Sequence, residues 1–170
     1  AAKIGVFEWN VQTGVNIWTP ELEAMHGLAS GEFGKTQPAW EQLVHPEDRA
    51  AAVGYVNKAF ETGEPVEGEW RVVWRDGSVH WITGRFQVFA DAAGKPLRLV
   101  GVNIDITNRK QAEEKLRASE RVFRNTFENS TVGITHVDLN GNWILVNNRF
   151  CEMLGYSREA LVGTEFSTHN

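Results

Sequence analysis

Val100-Gly-Val-Asn-Ile-Asp-Ile-Thr107 alternates apolar residues in the manner of a strand, and Asn108-Arg-Lys-Gln-Ala-Glu-Glu-Lys-Leu-Arg-Ala-Ser-Glu120 follows it with a charged run. The period of the first predicts a strand, and the composition of the second predicts a solvated helix. Thr107 stands at the boundary as a helix N-cap, its hydroxyl placed to accept from a backbone N–H two or three residues on. Asp105 adds negative charge at the positive end of that helix. A strand belongs to a sheet and responds to what the sheet holds. A long polar helix leaving it can carry that response elsewhere.

Working back from this junction, Val66 to Trp74 and Val79 to Phe89 flank Asp76-Gly77, a tight-turn signal, and Leu97 to Ile106 follows a second turn at Ala93-Gly94. Trp70, Val72 and Trp74 share one face of the first of these strands, opposite Glu69 and Arg71. Both faces of the sheet carry apolar groups, which predicts a second covering layer, from a helix or a second subunit. Earlier still, Val6 to Trp9 and Val15 to Trp18 read as a hairpin, Pro20 to His26 as a short helix, and Pro38 to Val44 as another. His45-Pro-Glu-Asp-Arg49 reads as the opening of a helix to Phe60, with Glu47 and Asp48 complementing its dipole. Two strands, then helices, then three antiparallel strands give an α+β class, with helices on one face of the sheet.

The chain also repeats itself. Ile4 to Gly14 lies over Val132 to Gly141, and Leu22-Glu-Ala-Met-His-Gly27 over Phe150-Cys-Glu-Met-Leu-Gly155, at an offset of about 128 residues. Repetition at domain length means tandem modules rather than a solenoid. The expected organisation is a complete module over 1–107, a helical linker over 108–127, and the N-terminal part of a second module over 128–170. Along the linker, Ala112, Leu116, Ser119, Phe123 and Thr126 fall at alternating four- and three-residue steps, a short coiled-coil seam with only Leu116 and Phe123 as bulky members. A helix this polar is marginal alone, and a marginal element is easily biased.

These words in this order resemble the PAS family. The resemblance rests on Val44-His-Pro-Glu-Asp-Arg49, Trp74-Arg-Asp-Gly-Ser-Val-His-Trp81, Asp91-Ala-Ala-Gly-Lys-Pro96 and Gly101-Val-Asn-Ile-Asp-Ile-Thr107. It continues through Asn108 to Glu113 in the linker, and in the second copy through Phe127-Glu-Asn-Ser130, Asn147-Asn-Arg-Phe150 and Gly155-Tyr-Ser-Arg-Glu159. It implies a five-stranded antiparallel sheet cradling a ligand or an apolar core. It further implies a sensory module that dimerises and regulates an appended output domain, such as a histidine kinase of a two-component system or a diguanylate cyclase. The expected partners are therefore a second copy of the chain, that downstream domain, and a small-molecule ligand.

Composition is ordinary for a globular domain, with 42% hydrophobic and 23% charged residues. A net charge of -5 gives nucleic-acid binding no electrostatic support. No apolar run spans a membrane, and the single cysteine, Cys151, fits a reducing, cytoplasmic compartment. Neither a Gly-rich phosphate loop nor a nucleophile elbow is present, so no catalytic residue is assigned. His26, His45, His80, His136 and His169 lack metal-ligand spacing, so no metal is expected, and haem would have only His26 or His45 as axial candidates. Asn103 is the informative residue, an amide inside an apolar strand that must find partners when buried. With Trp40, Trp81 and Tyr55 it forms the candidate ligand set, while Asp105, Thr107, Leu116 and Phe123 are the candidate relay. The resemblance places Asn103 where the family's flavin-binding branch carries a glutamine. The segment Trp40 to Val44 has no cysteine, which removes that branch's adduct photochemistry. The expectation is a core without a cofactor, with a redox flavin or another small molecule as the alternatives.

Overall fold

A computed structural model describes residues 4–164; His169 of the sequence reading lies outside the described residues. The chain divides into two compact units after Gln111.

In the first unit, β1 (Ile4–Asn10) and β2 (Asn16–Trp18) precede α1 (Pro20–Met25), α2 (Gln37–Leu43) and α3 (Arg49–Thr62). Three strands follow: β3 (Val66–Val73), β4 (Val79–Ala90) and β5 (Pro96–Asp105). They join the hairpin in one antiparallel sheet of order β2-β1-β5-β4-β3, so the last strand lies at the centre, beside the first. The inner face buries Val66, Trp70, Val72, Ile82, Phe86, Val88 and Leu99 against Leu22 and Met25 of α1, Trp40 of α2, and Ala52, Val56 and Ala59 of α3. Two glycines make room for aromatic rings: a Cβ on Gly68 would meet the Tyr55 ring of α3 at 2.4 Å, and one on Gly84 would meet the Trp70 ring of the neighbouring β3 at 2.4 Å.

The outer face carries Ile4, Val6, Ile17 and Val102 as exposed apolar residues. Ile4 pairs across the ladder with Ile104, and Val6 with Val102, so these side chains form one contiguous patch.

The His45 to Arg49 stretch differs from its sequence reading. Pro46–Asp48 is a separate 3₁₀ turn, and α3 begins only at Arg49. Asp48 turns back instead to Arg71 on β3, accepting from its backbone N–H at 2.8 Å and from its guanidinium at 2.6 and 2.9 Å. A charge-assisted, bidentate contact outweighs the few tenths of a kcal/mol a side chain gains from a helix dipole.

The helix α4 (Thr107–Glu128) leaves β5 directly and runs 22 residues. The second unit then holds β6 (Thr135–Val137), β7 (Trp143–Val146), α5 (Asn148–Leu154) and α6 (Arg158–Leu161) around a small core of Trp143, Val146 and Leu161. Two of its contacts repeat those of the first unit at the same offset. Val6 donates its N–H to Thr19 Oγ1 at 3.1 Å, and Ile134, 128 positions later, donates to Asn147 Oδ1 at 2.9 Å. A Cβ on Gly5 would strike Leu22 at 2.7 Å, and one on Gly133 would crowd Phe150 at 3.1 Å. Asn147 is fully buried and fully paired: its amide also accepts from Phe150 N–H and donates to the carbonyls of Phe127 and Val132.

Candidate ligand pocket and its exit

A cavity lies on the inner face between the sheet and the helices. The sheet contributes Phe7, Trp70, Phe86, Leu99 and Asn103; β2 contributes Asn16 and Trp18; the helices contribute Leu22, Gln37, Trp40 and Val56. Asn16, Trp70 and Asn103 are each only 3% exposed, yet Asn16 Oδ1, Trp70 Nε1 and Asn103 Oδ1 have no hydrogen-bond partner. An unpaired buried polar atom costs about 1–3 kcal/mol, so three on residues that line one cavity leave an unmet polar demand beside it. The cavity volume is about 20 Å³. That is room for one or two water-sized groups, well below the ~150 Å³ of a cavity that takes benzene. A tricyclic flavin ring does not fit this arrangement, since Trp40 and Trp70, packed edge to face at 5.9 Å, would have to separate.

Beside the cavity, His26 is 1% exposed and lies with its ring 4.4 Å from that of Trp18. Burial lowers its pKa to about 4, against smaller opposing contributions from the Leu22 carbonyl and the Asp105 carboxylate. The ring is therefore neutral near pH 7. The assigned tautomer has Nδ1–H donating to the Leu22 carbonyl at 2.9 Å, which leaves Nε2 as a buried, unpaired acceptor.

Of the sequence-derived ligand candidates, Trp40 and Asn103 line the cavity. Tyr55 does not; its ring covers Gly68. Trp81 does not either. It follows the opposite alternation from the buried Ile82 and lies on the outer face, paired in register with Arg71. A strand pattern fixes which residues share a face, but strands carrying aromatic groups on both faces leave open which face is inner. Asn16 and Trp70 were missed as pocket residues. The signal for Asn16 was available, because a polar residue two positions before Trp18 on a short strand shares its face.

Trp81 instead clamps the strand-to-helix junction. Its carbonyl accepts from Ile106 N–H and its N–H donates to Thr107 Oγ1, both at 2.9 Å. Thr107 is thus the first helical residue rather than the capping one. Its hydroxyl accepts from Trp81 and donates to Asp105 Oδ1 at 2.5 Å, while Asp105 Oδ1 also accepts from Thr107 N–H at 2.8 Å. The indole of Trp81 is flanked by cations: Lys110 of α4 at 4.8 Å and Arg71 of β3 at 5.8 Å from the ring centroid. Glu69 then holds Lys110 at 2.5 Å and Arg109 at 2.7 Å. These cations, Lys110 foremost, hold the Glu69 carboxyl below its usual range, as the Arg71 guanidinium does for Asp48. The chain of contacts runs from the His45–Arg49 turn across the outer sheet face to the first turn of α4. Further along α4, Leu116 and Phe123 are more than half exposed, with Phe123 stacked on Phe127 at 5.4 Å.

Among the described residues no group of His, Cys, Asp and Glu is arranged to hold a metal, and no helix is long and apolar enough to cross a membrane.

Family comparison agrees with the fold. Models described as the PAS fold match residues 15–103 and, separately, 121–168. The chain belongs to the PAS family. PAS domains are sensory modules, and in this chain one PAS model runs from β2 into β5 of the five-stranded sheet while a second covers the region that holds β6, β7, α5 and α6. A sensory box histidine kinase/response regulator from Burkholderia thailandensis E264 is 31% identical, with a TM-score of 0.62 over 73% of this chain and 92% of that one. The N-terminal domain of a diguanylate cyclase with a PAS/PAC sensor from Marinobacter aquaeolei is 30% identical, with a TM-score of 0.58 over 64% of this chain and 99% of that one. A probable diguanylate cyclase, DgcE, from Escherichia coli K12 is 23% identical across 99% of this chain, which spans 15% of the relative's length.

Proposed function

We propose that residues 4–107 bind a small molecule between sheet and helices, and that α4 relays the bound state to the following PAS unit. The observation that carries this reading is Asn103. It lines the cavity from β5 with its amide oxygen buried and unpaired, two residues before Asp105 and four before Thr107, which fasten the strand's end to Trp81 and to α4. A change of pocket occupancy and a change of junction geometry thus act on one short segment. The relay continues along α4 past Leu116 and Phe123, whose exposed side chains offer a seam to a partner helix.

The same reading assigns a homodimer through the outer sheet patch of Ile4, Val6, Ile17 and Val102, and an output domain of the histidine kinase or diguanylate cyclase kind elsewhere in the parent chain. The single thiol suits a cytoplasmic setting. Light scattering tests the dimer: a monodisperse monomer at micromolar concentration contradicts it.

A ligand-free docking module is the second reading, favoured by the small volume of the cavity. A thermal-shift screen separates the two. The sensing reading expects at least one small molecule to raise the Tm of the wild type and to leave Asn103→Leu unmoved. A protein indifferent to every compound supports the docking module.

A further inference from the structure

The charges of α4 fall into two groups that behave differently. On its outward side the ion pairs close within one chain: Arg121 reaches Glu114 at 3.5 Å, and Arg109 is held by Glu69 at 2.7 Å. Among the described residues, Lys115 and Glu120 make no such pair. These two flank the apolar seam. With Leu116 and Phe123 at the a positions of a heptad, Ala112, Ser119 and Thr126 fall at d, Lys115 and Val122 at g, and Glu113 and Glu120 at e. Leu116, Val122 and Phe123 are each more than half exposed, so three bulky apolar side chains stand open to water along this side of the helix.

A second helix laid on the seam meets the flanking charges, and their signs restrict how it lies. In a parallel, in-register pair each g residue faces the e residue five positions on in the other helix. Lys115 then faces Glu120 of the partner subunit, twice by symmetry. In an antiparallel pair e faces e, so Glu113 and Glu120 would meet the same carboxylates of the other copy. Sliding a parallel pair by one heptad sets Lys115 against the position of Phe127, which is only 5% exposed within its own unit. Building on the homodimer reading above, we infer that α4 meets its own copy in a parallel, in-register pair over residues 112–126, with Lys115 of each helix facing Glu120 of the partner subunit. Two heptads fall short of the ~1,200 Å² that a stable interface buries, so this seam sets the orientation and register of a dimer held mainly by other surfaces. With only Ala, Ser and Thr at d, the pairing is loose enough to respond to a change at the first turn of α4.

Charge reversal and cross-linking test the inference in the full chain. Sedimentation velocity at low salt should show Lys115→Glu and Glu120→Lys each weakening the dimer at least fivefold in Kd, and the double variant returning to within twofold of the wild type. The differences should shrink at about 1 M salt, where exposed pairs are screened. In a Cys151→Ser background, Ala112→Cys and Thr126→Cys should each cross-link to the same position of the partner subunit on mild oxidation. An antiparallel pair cannot satisfy both positions. A dimer that ignores the single reversals, that the double reversal does not rescue, or that lacks either cross-link overturns the pairing while the homodimer reading stands. A chain that stays monomeric across the micromolar range overturns both.

Discussion

Two buried polar side chains set the residue-scale behaviour, and they act in opposite directions. Asn103 lines the pocket and keeps a buried, unpaired amide oxygen beside it, a demand the fold itself leaves unmet. His26 is held neutral, so its demand is that no proton arrive. Its folded pKa of about 4 lies below the ordinary value of 6.5. Protonation therefore favours the unfolded chain, and the stability His26 protects is complete above pH 6.5 and declines as pH falls toward 4. Each unit of that depression is worth about 1.4 kcal/mol, so moving from pH 7 to pH 5 should lower unfolding free energy by roughly 2 kcal/mol. Urea titrations of the wild type and His26→Gln check this: the wild type should lose that amount and the variant should lose much less. Asp48 and Glu69, whose pKa values lie below the usual carboxylate range, contribute their full stabilisation at neutral pH and lose it only as pH falls below the ordinary carboxylate values, so the change between pH 7 and pH 5 belongs to His26. Asn103 was legible from sequence because a lone amide stands out in an apolar strand. His26 was legible only as one of five scattered histidines, since its burial comes from α1 packing on β1.

At the scale of elements, the β5–α4 junction concentrates the contacts. Its hydrogen bonds join Trp81, Asp105, Ile106 and Thr107, and its charged layer joins Arg71, Lys110, Glu69 and Arg109 around the Trp81 indole. Half-exposed ion pairs of this kind contribute at most about 1 kcal/mol each, so their consequence is positional rather than global. Trp81→Ala should change Tm by only a few degrees, yet should raise amide exchange at Lys110 and Gln111 by about tenfold, as the first turn of α4 detaches from the sheet. Unchanged exchange there would remove Trp81 from the relay. The sequence located the junction to the residue, through the Asp-Ile-Thr step and the switch of period. It misassigned Trp81 and the capping role of Thr107, because both depend on a contact 26 residues apart in the chain, between β4 and the end of β5.

At the scale of the whole molecule, the repeat was the most readable feature. The correspondence of Thr19 with Asn147 and of Leu22 with Phe150 extends it from letters to hydrogen bonds. Element order was also legible, since it follows from periodicity and turn residues, and the family resemblance implied the single five-stranded sheet; which tryptophans face inward was not, since that is decided by packing across layers. Asn147 should matter to the second unit as no single residue of the first does, because one amide joins four backbone groups there. Asn147→Ala should cost roughly 2–4 kcal/mol of local stability. It should show as lost protection at the Ile134 and Phe150 amides, with those of β4 and β5 unchanged. The central claim is that the pocket and the start of α4 are coupled. Its most direct test is amide exchange at Ile106 and Lys110 with the pocket empty and then saturated, occupancy being read from the Trp70 indole. The account predicts a change of at least about fivefold, the lower range of an allosteric coupling free energy, and its disappearance in Trp81→Ala. Full occupancy at Trp70 with no change at Ile106 and Lys110 would contradict it.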